Sequence, residues 1–185
     1  MSDKFKNKYL IKSVRKPNWD YGSNASYFVT ICTGFMEYYF GEVEDGEMKL
    51  SEIGKIAKSE WFKTLELRPD MNLILNEFVV MPNHIHGIIF IGKNEFNKKS
   101  ETNESSEELI YKNKFQSQSK NLASIIRGYK SAVTIQARKI NSEFGWQSKF
   151  HEHIIRDERA FQNIEKYIKN NPKKWGEDKF LKKIK

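Results

Sequence analysis

The segment at residues 81–91, MPNHIHGIIFI, constrains the fold of this chain more than any other segment. A Pro-Asn pair is followed by an apolar, β-branched run, and this pattern predicts a turn that leads into a strand. Side chains alternate between the two faces of a strand, so His84 and His86 lie on one face while Ile85 lies on the other. Such a strand can present two imidazoles to one divalent metal, although two surface histidines can have the same spacing.

The neighbouring patterns predict an α+β domain. Strand patterns occur at residues 27–33, 38–43, 48–50, 73–80 and 146–155, with an Asp-Gly hairpin turn at residues 45–46. Helical spacing of apolar residues occurs at residues 51–63, at residues 122–140, and from residue 157 to about residue 171. Strand, helix, strand, strand is the first half of a ferredoxin-like sandwich. We therefore predict an antiparallel sheet with helices packed on one face.

The charge of the chain favours a polyanionic partner. The 185 residues carry a formal net charge of +8, and lysines crowd a basic tail at residues 173–185. Neutralising phosphates with Lys and Arg releases counterions, so this charge favours nucleic acid, although many basic proteins bind none. Cys32 is the single cysteine, which excludes an intrachain disulfide and a multi-cysteine zinc site. We expect one domain over residues 1–185, with residues 93–120 as a polar insertion or mobile loop.

The chain also lacks the patterns that are typical of membrane and secreted proteins. Its apolar stretches are shorter than a bilayer requires, and the first residues have no apolar signal centre. We therefore expect a cytoplasmic protein with no membrane partner.

Three motifs, in their order along the chain, resemble one known family. MPNHIHGIIFI, WQSKFHEHIIRDE and the closing YIKNNPKKW resemble the REP-associated tyrosine transposases. These belong to the single-tyrosine branch of the HUH (His-hydrophobic-His) endonucleases, which cleave single-stranded DNA. The resemblance runs from about residue 27 to about residue 175, apart from the insertion. It implies a ferredoxin-like fold, a role in DNA transposition, and single-stranded or hairpin DNA in the bacterial nucleoid as the partner.

The resemblance also implies a mechanism. His84 and His86 would hold a divalent metal, Mg²⁺ or Mn²⁺, that polarises the scissile phosphate. Tyr167 would attack this phosphate, which leaves a 5′-phosphotyrosine and a free 3′-hydroxyl that can later reverse the step. Asn171 follows Tyr167 by one helical turn on the same helix face, and it would be a third, oxygen-donating ligand where more distant relatives have glutamine. Some single-tyrosine relatives work as dimers, so a homodimer and a monomer both stay open.

The residues expected to contact the DNA backbone are basic and lie close to these motifs. They are Arg127, Lys130, Arg156, Lys173 and Lys174. Tyr129, between the first two, is the rival candidate for the nucleophile, but its place in an apolar helical pattern favours a ring in the core. Tyr167 could in turn be an ordinary aromatic residue that packs its helix.

Further alternatives concern the site and the function. His151-Glu152-His153 would also place two imidazoles on one strand face, but it lacks the preceding turn, so a site-lining or structural role is favoured over metal binding. The same fold without the chemistry would be a DNA-binding module or a repressor derived from a transposase. A metal-dependent phosphodiesterase that activates water, or a plain structural protein, would form no covalent tyrosine intermediate.

Overall fold

The computed structural model describes residues 4–5, 8–9, 16, 19–98 and 119–181. Most of the predicted insertion at residues 93–120 and the end of the predicted basic tail lie outside the described residues. The elements are β1 (Lys4–Phe5), β2 (Lys8–Tyr9), β3 (Ala25–Cys32), β4 (Gly41–Glu44), β5 (Glu47–Leu50), α1 (Glu52–Glu66), β6 (Leu73–Val80), β7 (His84–Ile91), α2 (Leu122–Ala137), β8 (His151–Ile155) and α3 (Glu158–Asn170). A short 3-10 helix, Pro172–Glu177, follows α3. Within these residues, no helix combines the length and the apolar character that crossing a membrane requires.

The main sheet has four antiparallel strands in the spatial order β6-β7-β3-β8. Helix α1 connects β3 to β6 across the sheet, and α2 connects β7 to β8. The chain therefore follows the β-α-β-β-α-β order of a ferredoxin-like domain, with β4 and β5 forming a separate hairpin. This confirms the predicted fold class, including the antiparallel sheet.

One face of the sheet packs against α1 and α2 and contains the main core. Val29 and Ile31 of β3 and Ile85 and Ile89 of β7 are buried on this face. Gly87 lies between the two isoleucines, and a Cβ atom there would meet the Trp61 ring of α1 at 2.5 Å. A larger residue at this position would push α1 away from the sheet, so the close packing of the helix requires glycine.

The opposite face of the sheet packs against α3. Ile168 of α3 and Ile88 of β7 are buried together with Ile155 of β8, and Phe28 of β3 packs against them. The prediction of helices on one face therefore describes α1 and α2, whereas α3 is an addition to the sandwich. Because side chains alternate along β7, His84 and His86 are on this second face, beside α3.

Local signals in the sequence explain several element boundaries. Ser51 accepts a hydrogen bond from the backbone N–H of Gly54 at 3.0 Å and caps α1 as predicted. The Asp-Gly turn of the β4–β5 hairpin has positive φ at both residues, 50° and 76°, as a tight hairpin requires. The last strand is shorter than predicted: it begins at His151, and Trp146 makes only an isolated bridge to Thr33.

Candidate active site

The site is built around the two histidines of β7, a central strand that is paired on both sides. His84 and His86 are both buried, and their ring centroids are 4.5 Å apart. Their partners across β3 are Cys32 and Thr30, respectively. The strand register therefore fixes where each imidazole stands, and neighbouring side chains fix which ring nitrogen carries the proton.

Asn83 sets the tautomer of His84. The Asn83 amide nitrogen donates to two backbone carbonyl oxygens, that of Met36 at 3.3 Å and that of Phe180 at 2.8 Å. Its Oδ1 therefore faces His84 Nδ1 at 2.9 Å, and because an amide oxygen only accepts, Nδ1 is the protonated nitrogen. His84 Nε2 is left with its lone pair, and it is buried with no hydrogen-bond partner in the described part of the chain. Histidines that bind metals typically donate a hydrogen bond through one ring nitrogen and bind the metal through the other.

His86 links the strand to the candidate nucleophile. Its Nδ1 lies 2.8 Å from Thr30 Oγ1, and its Nε2 lies 3.2 Å from the hydroxyl of Tyr167 on α3. In the tautomer that protonates Nδ1, this nitrogen donates to Thr30 and Nε2 accepts from the tyrosine. The Phe28 and Tyr167 rings are nearly perpendicular, with their centroids 6.1 Å apart, so the tyrosine ring is held over the second face of the sheet.

Asn171 completes the group. It follows α3 with helical backbone angles, so it stays one turn away from Tyr167, and only 2% of it is exposed. Its amide nitrogen donates to Asp178 Oδ2 at 3.1 Å, and its Oδ1 is buried with no partner among the described residues. Because the Asn171 nitrogen is used by the hydrogen bond to Asp178, the Asn171 oxygen is the amide atom that stays available to a ligand.

These donors fit a divalent metal. His84 Nε2 and Asn171 Oδ1 are buried polar atoms without partners in the part of the chain that the structure describes, which is costly unless a ligand satisfies them. No group of three His, Cys, Asp or Glu residues that could hold a metal occurs in the described chain, so the third protein donor at this site would be the amide oxygen. Imidazole suits transition metals and oxygen suits Mg²⁺ and Mn²⁺, and this mixed set fits an ion that water and phosphate oxygens also coordinate.

Burial controls the charge of the site. It lowers the pKa of His84 to about 3, with the charge of Lys179 adding to the effect, and lowers the pKa of His86 well below its usual value. Both imidazoles are therefore neutral near pH 7, the form that binds metals. Burial also raises the pKa of the Tyr167 hydroxyl, and the negative charge of Asp178 raises it further. Without a metal, Tyr167 is thus a protonated and weak nucleophile.

An open cavity of about 600 Å³ gives access to Tyr167 and His86. Three of its lining residues are basic, namely Lys166, Lys174 and Lys179. Tyr167 is 41% exposed, so its hydroxyl group lies between the buried histidine and this cavity. Two acidic residues, Glu177 and Asp178, also line the cavity, so a phosphate group, which the cavity is large enough to receive, would have to be bound by the lysines.

The end of the described chain covers both histidines, and the Phe180 ring centroid lies 6.0 Å from that of His86. The Phe180 ring lies over His84 at a centroid distance of 4.6 Å, and the Trp175 ring lies 6.0 Å away. The backbone N–H of Phe180 donates to Asp178 Oδ1 at 2.7 Å, which holds this segment in place. We call residues 178–181 the C-terminal cover.

The structure brings some of the predicted DNA-binding residues to this site and places others elsewhere. Lys174 lines the cavity, and Lys173 is exposed beside it on the 3-10 helix. Arg156 is exposed just before α3. Arg127 and Lys130 lie on α2, which packs on the other face of the sheet, away from Tyr167. There the Lys130 ammonium donates to the carbonyl oxygen of Gln147 at 2.6 Å, while Arg127 lines a separate cavity of about 360 Å³.

The rival residues occupy different positions. Tyr129 is 2% exposed in the main core, and its hydroxyl donates to the carbonyl oxygen of Ala57 at 2.9 Å. Burial raises its pKa well above the usual value, so this hydroxyl is neither accessible nor readily ionised. His151 and His153 lie on the same sheet face as His84 and His86 because they pair with Thr30 and Phe28 of β3. The strand β3 separates them from that pair, and both are exposed on the edge strand.

Sequence reasoning missed three residues of this site: Thr30, Asn83 and Asp178. Asn83 is adjacent to His84 in the sequence, and an amide beside a candidate ligand is a signal that could have marked it as an orienting residue. Thr30 and Asp178 have no such signal, because their contacts depend on strand register and on the path of the chain after α3.

Comparison with known proteins places the chain in a family. No protein-family model matches it. An uncharacterised protein of Haemophilus influenzae is 36% identical over 168 residues, which cover 90% of this chain and 91% of that protein. The chain belongs to the same family as that protein.

A solved structure has the same fold as this chain. It is a REP-associated tyrosine transposase bound to a REP hairpin, with a TM-score of 0.57 and 18% sequence identity. The match covers 91% of this chain and 77% of the solved one. At this identity the likeness establishes that the chain has the transposase fold.

Proposed function

We propose that this protein is a metal-dependent single-strand DNA endonuclease and transposase that cleaves and rejoins DNA through Tyr167. One observation carries the proposal: the Tyr167 hydroxyl lies 3.2 Å from His86 Nε2, in a group with His84 Nε2 and Asn171 Oδ1, two buried acceptors that lack partners among the described residues. A candidate nucleophile thus lies next to atoms that could bind a metal. The fold shared with a tyrosine transposase supports this assignment.

The chemistry would proceed by transesterification. The Tyr167 oxygen attacks the scissile phosphorus as the bond to the 3′-oxygen breaks, which forms a 5′-phosphotyrosine and releases a 3′-hydroxyl. The phosphodiester energy is retained, so the 3′-hydroxyl of another strand can attack the phosphotyrosine without a nucleotide cofactor. When bound by His84, His86 and Asn171, Mg²⁺ or Mn²⁺ would stabilise the negative charge that develops on the phosphate oxygens. Lys166 and Lys174 would bind the same phosphate from the cavity.

The proposed substrate is hairpin DNA with a single-stranded flank. The net charge of +8 favours a polyanion, and the basic residues of the cavity lie beside Tyr167. The solved transposase with the same fold is bound to a REP hairpin. Arg156 and Lys173 are exposed at the two ends of α3 and are candidates for contacts to the DNA backbone. Arg127 lies on the other face of the sheet, so it could contact DNA only through a second surface.

Covalent capture of DNA tests the proposal. Hairpin oligonucleotides from the DNA flanking the gene, labelled at the 5′ or the 3′ end, are incubated with protein and Mn²⁺ or Mg²⁺, then denatured. We expect a metal-dependent protein–DNA band that carries the 3′ label and is absent from Tyr167→Phe. Tyr129→Phe is the matched control and should form the band. Cleavage by Tyr167→Phe would instead indicate a phosphodiesterase that activates water.

A DNA-binding module without cleavage is the second candidate, because the C-terminal cover places Phe180 over His84. If the cover blocks the metal site permanently, wild-type protein should bind hairpin DNA with salt-dependent affinity and form no adduct. Phe180→Ala separates the two functions, since it removes the ring that lies 4.6 Å from His84 and 6.0 Å from His86 but removes no proposed metal donor. Adduct formation by this variant alone would show that the site is competent but covered.

A further inference from the structure

The turn after β3 presents a phenylalanine to solvent in an unfavourable backbone conformation. Phe35 is 91% exposed, and its backbone has φ 52° and ψ 17°, in the left-handed region. Met36, the next residue, also has a positive φ of 60°. Bulky residues rarely adopt this conformation, which Gly and Asn tolerate much better. Two successive residues of this kind persist only when the surrounding structure holds them, and here one of them leaves an aromatic ring in solvent.

Hydrogen bonds from both sides hold this turn. The Gly34 N–H donates to the carbonyl oxygen of Gly145 at 2.7 Å, and Thr33 Oγ1 donates to that of Glu37 at 2.8 Å. The Asn83 amide donates to the Met36 carbonyl oxygen, and the same Asn83 side chain orients His84. The turn that carries Phe35 is therefore attached directly to the candidate metal site.

Further aromatic and basic residues connect the turn to the site. Tyr38, three residues after Phe35, is 43% exposed, and its ring contacts that of Trp175 at a centroid distance of 5.8 Å. The Trp175 ring lies 6.0 Å from that of His84. Lys173 and Lys174 immediately precede Trp175 and are exposed. Aromatic faces beside cationic side chains are the usual composition of surfaces that bind single-stranded nucleic acid.

We propose that Phe35 stacks on an unpaired base of the single-stranded DNA flank, as the outer end of a surface that continues through Tyr38 and Trp175 to the metal site. This inference rests on the proposed function and adds to it the place where the flank is held. Every base has a π face, so stacking would add affinity with little sequence preference. The lysines beside Trp175 favour a polyanionic occupant over an apolar segment of a protein.

The test measures the affinity for single strands in variants of Phe35. Phe35→Asn removes the ring but suits the left-handed backbone, and Phe35→Trp keeps an aromatic face. The probes are a fluorescein-labelled oligothymidylate and the same strand with abasic residues, measured by anisotropy at fixed salt. We expect Phe35→Asn to bind oligothymidylate roughly 5- to 150-fold more weakly and Phe35→Trp to bind like the wild type. Ile140→Asn, at a residue just after α2 that is 50% exposed, is the matched control and should change nothing.

Two further measurements separate stacking from other roles. The abasic strand should bind wild type and Phe35→Asn equally, and the slope of affinity against salt should be unchanged because no charge is removed. The urea midpoint of Phe35→Asn should be no lower than that of the wild type, since asparagine fits the backbone better.

Several results would overturn the inference. Unchanged oligothymidylate binding by Phe35→Asn, or an equal loss on the abasic strand, would exclude base stacking. A change from dimer to monomer on gel filtration would identify a second copy of the chain as the occupant. If the wild type bound no single strand and formed no adduct, the proposed function would fail as well, whereas adduct formation with normal binding by every variant would refute only the role of Phe35.

Discussion

Replacing Asp178 by alanine should weaken metal binding by leaving Asn171 without a fixed orientation. The Asn171 amide nitrogen donates to the Asp178 carboxylate at 3.1 Å, and this bond leaves Oδ1 without a partner among the residues described. Without it, the amide can rotate and place nitrogen, which cannot bind a metal, where the oxygen was. Asn171 is 2% exposed, so water has little access to replace the lost partner.

The expected loss is about tenfold to 100-fold in metal affinity. A hydrogen bond to a charged group contributes about 1.5–3 kcal/mol, which corresponds to a preference of about tenfold to 150-fold for one amide orientation. Residues that orient metal ligands typically change affinity by about 10–100-fold when they are removed, which agrees with this range. Mn²⁺ binding to the protein alone, followed by electron paramagnetic resonance, measures the effect without depending on catalysis.

Repeating the Asp178 substitutions in an Asn171→Asp protein distinguishes the orientation of the residue 171 side chain from the charge of Asp178 as the cause of the lost affinity. In Asn171→Asp both terminal atoms are oxygens, so orientation no longer matters. Removing Asp178 there should therefore lower Mn²⁺ affinity much less than it does in the wild-type background. Asp178→Asn, which retains an acceptor, should keep part of the wild-type affinity. An equal loss in Asp178→Asn and Asp178→Ala, repeated in the Asn171→Asp background, would refute the reasoning and assign the effect to charge.

Three other predictions concern stability. Tyr129→Phe should lower the free energy of unfolding by about 0.5–1.5 kcal/mol, because it removes the hydrogen bond to the Ala57 carbonyl, and urea titration should show this without any loss of adduct. Gly87→Ala should cost about 1–3 kcal/mol, since its methyl group would meet the Trp61 ring at 2.5 Å; an unchanged urea midpoint would contradict that packing. In metal-free protein, burial lowers the pKa of His84 from 6.5 to about 3, so the unfolded chain binds the proton first as the pH falls. The contribution of His84 to stability is therefore present above about pH 6.5 and lost toward pH 3, by about 2 kcal/mol at about pH 5, and His84→Gln should show a correspondingly flatter pH dependence in EDTA.

Several features of the site follow from local rules and could be predicted from the sequence. The period of two in β7 places His84 and His86 on one face whatever surrounds the strand. The helical period places Asn171 one turn from Tyr167, and Pro172 ends that helix where predicted. These rules involve only residues close in sequence, so they hold before the tertiary structure is known.

Other features depend on contacts between distant parts of the chain. Arg127 and Lys130 share the basic character of Lys174, yet α2 packs on the helix-covered face of the sheet and takes them away from Tyr167. Asp178 has no local pattern that marks it, and it becomes an orienting residue only because the chain turns back after α3. Sequence patterns describe composition and period but not which surfaces meet.

By itself, the sequence determined which residues could act together on one strand face and one helix face. Only the tertiary structure decided that these two faces meet, with the Tyr167 hydroxyl 3.2 Å from His86 across 81 residues of chain. It also decided that Asn83 is held by the carbonyl oxygen of Phe180, 97 residues away, and so selects the tautomer of His84. The physical reason is that period and capping are properties of neighbouring residues, whereas the docking of α3 and of the C-terminal cover depends on burial and hydrogen bonding across the whole sheet.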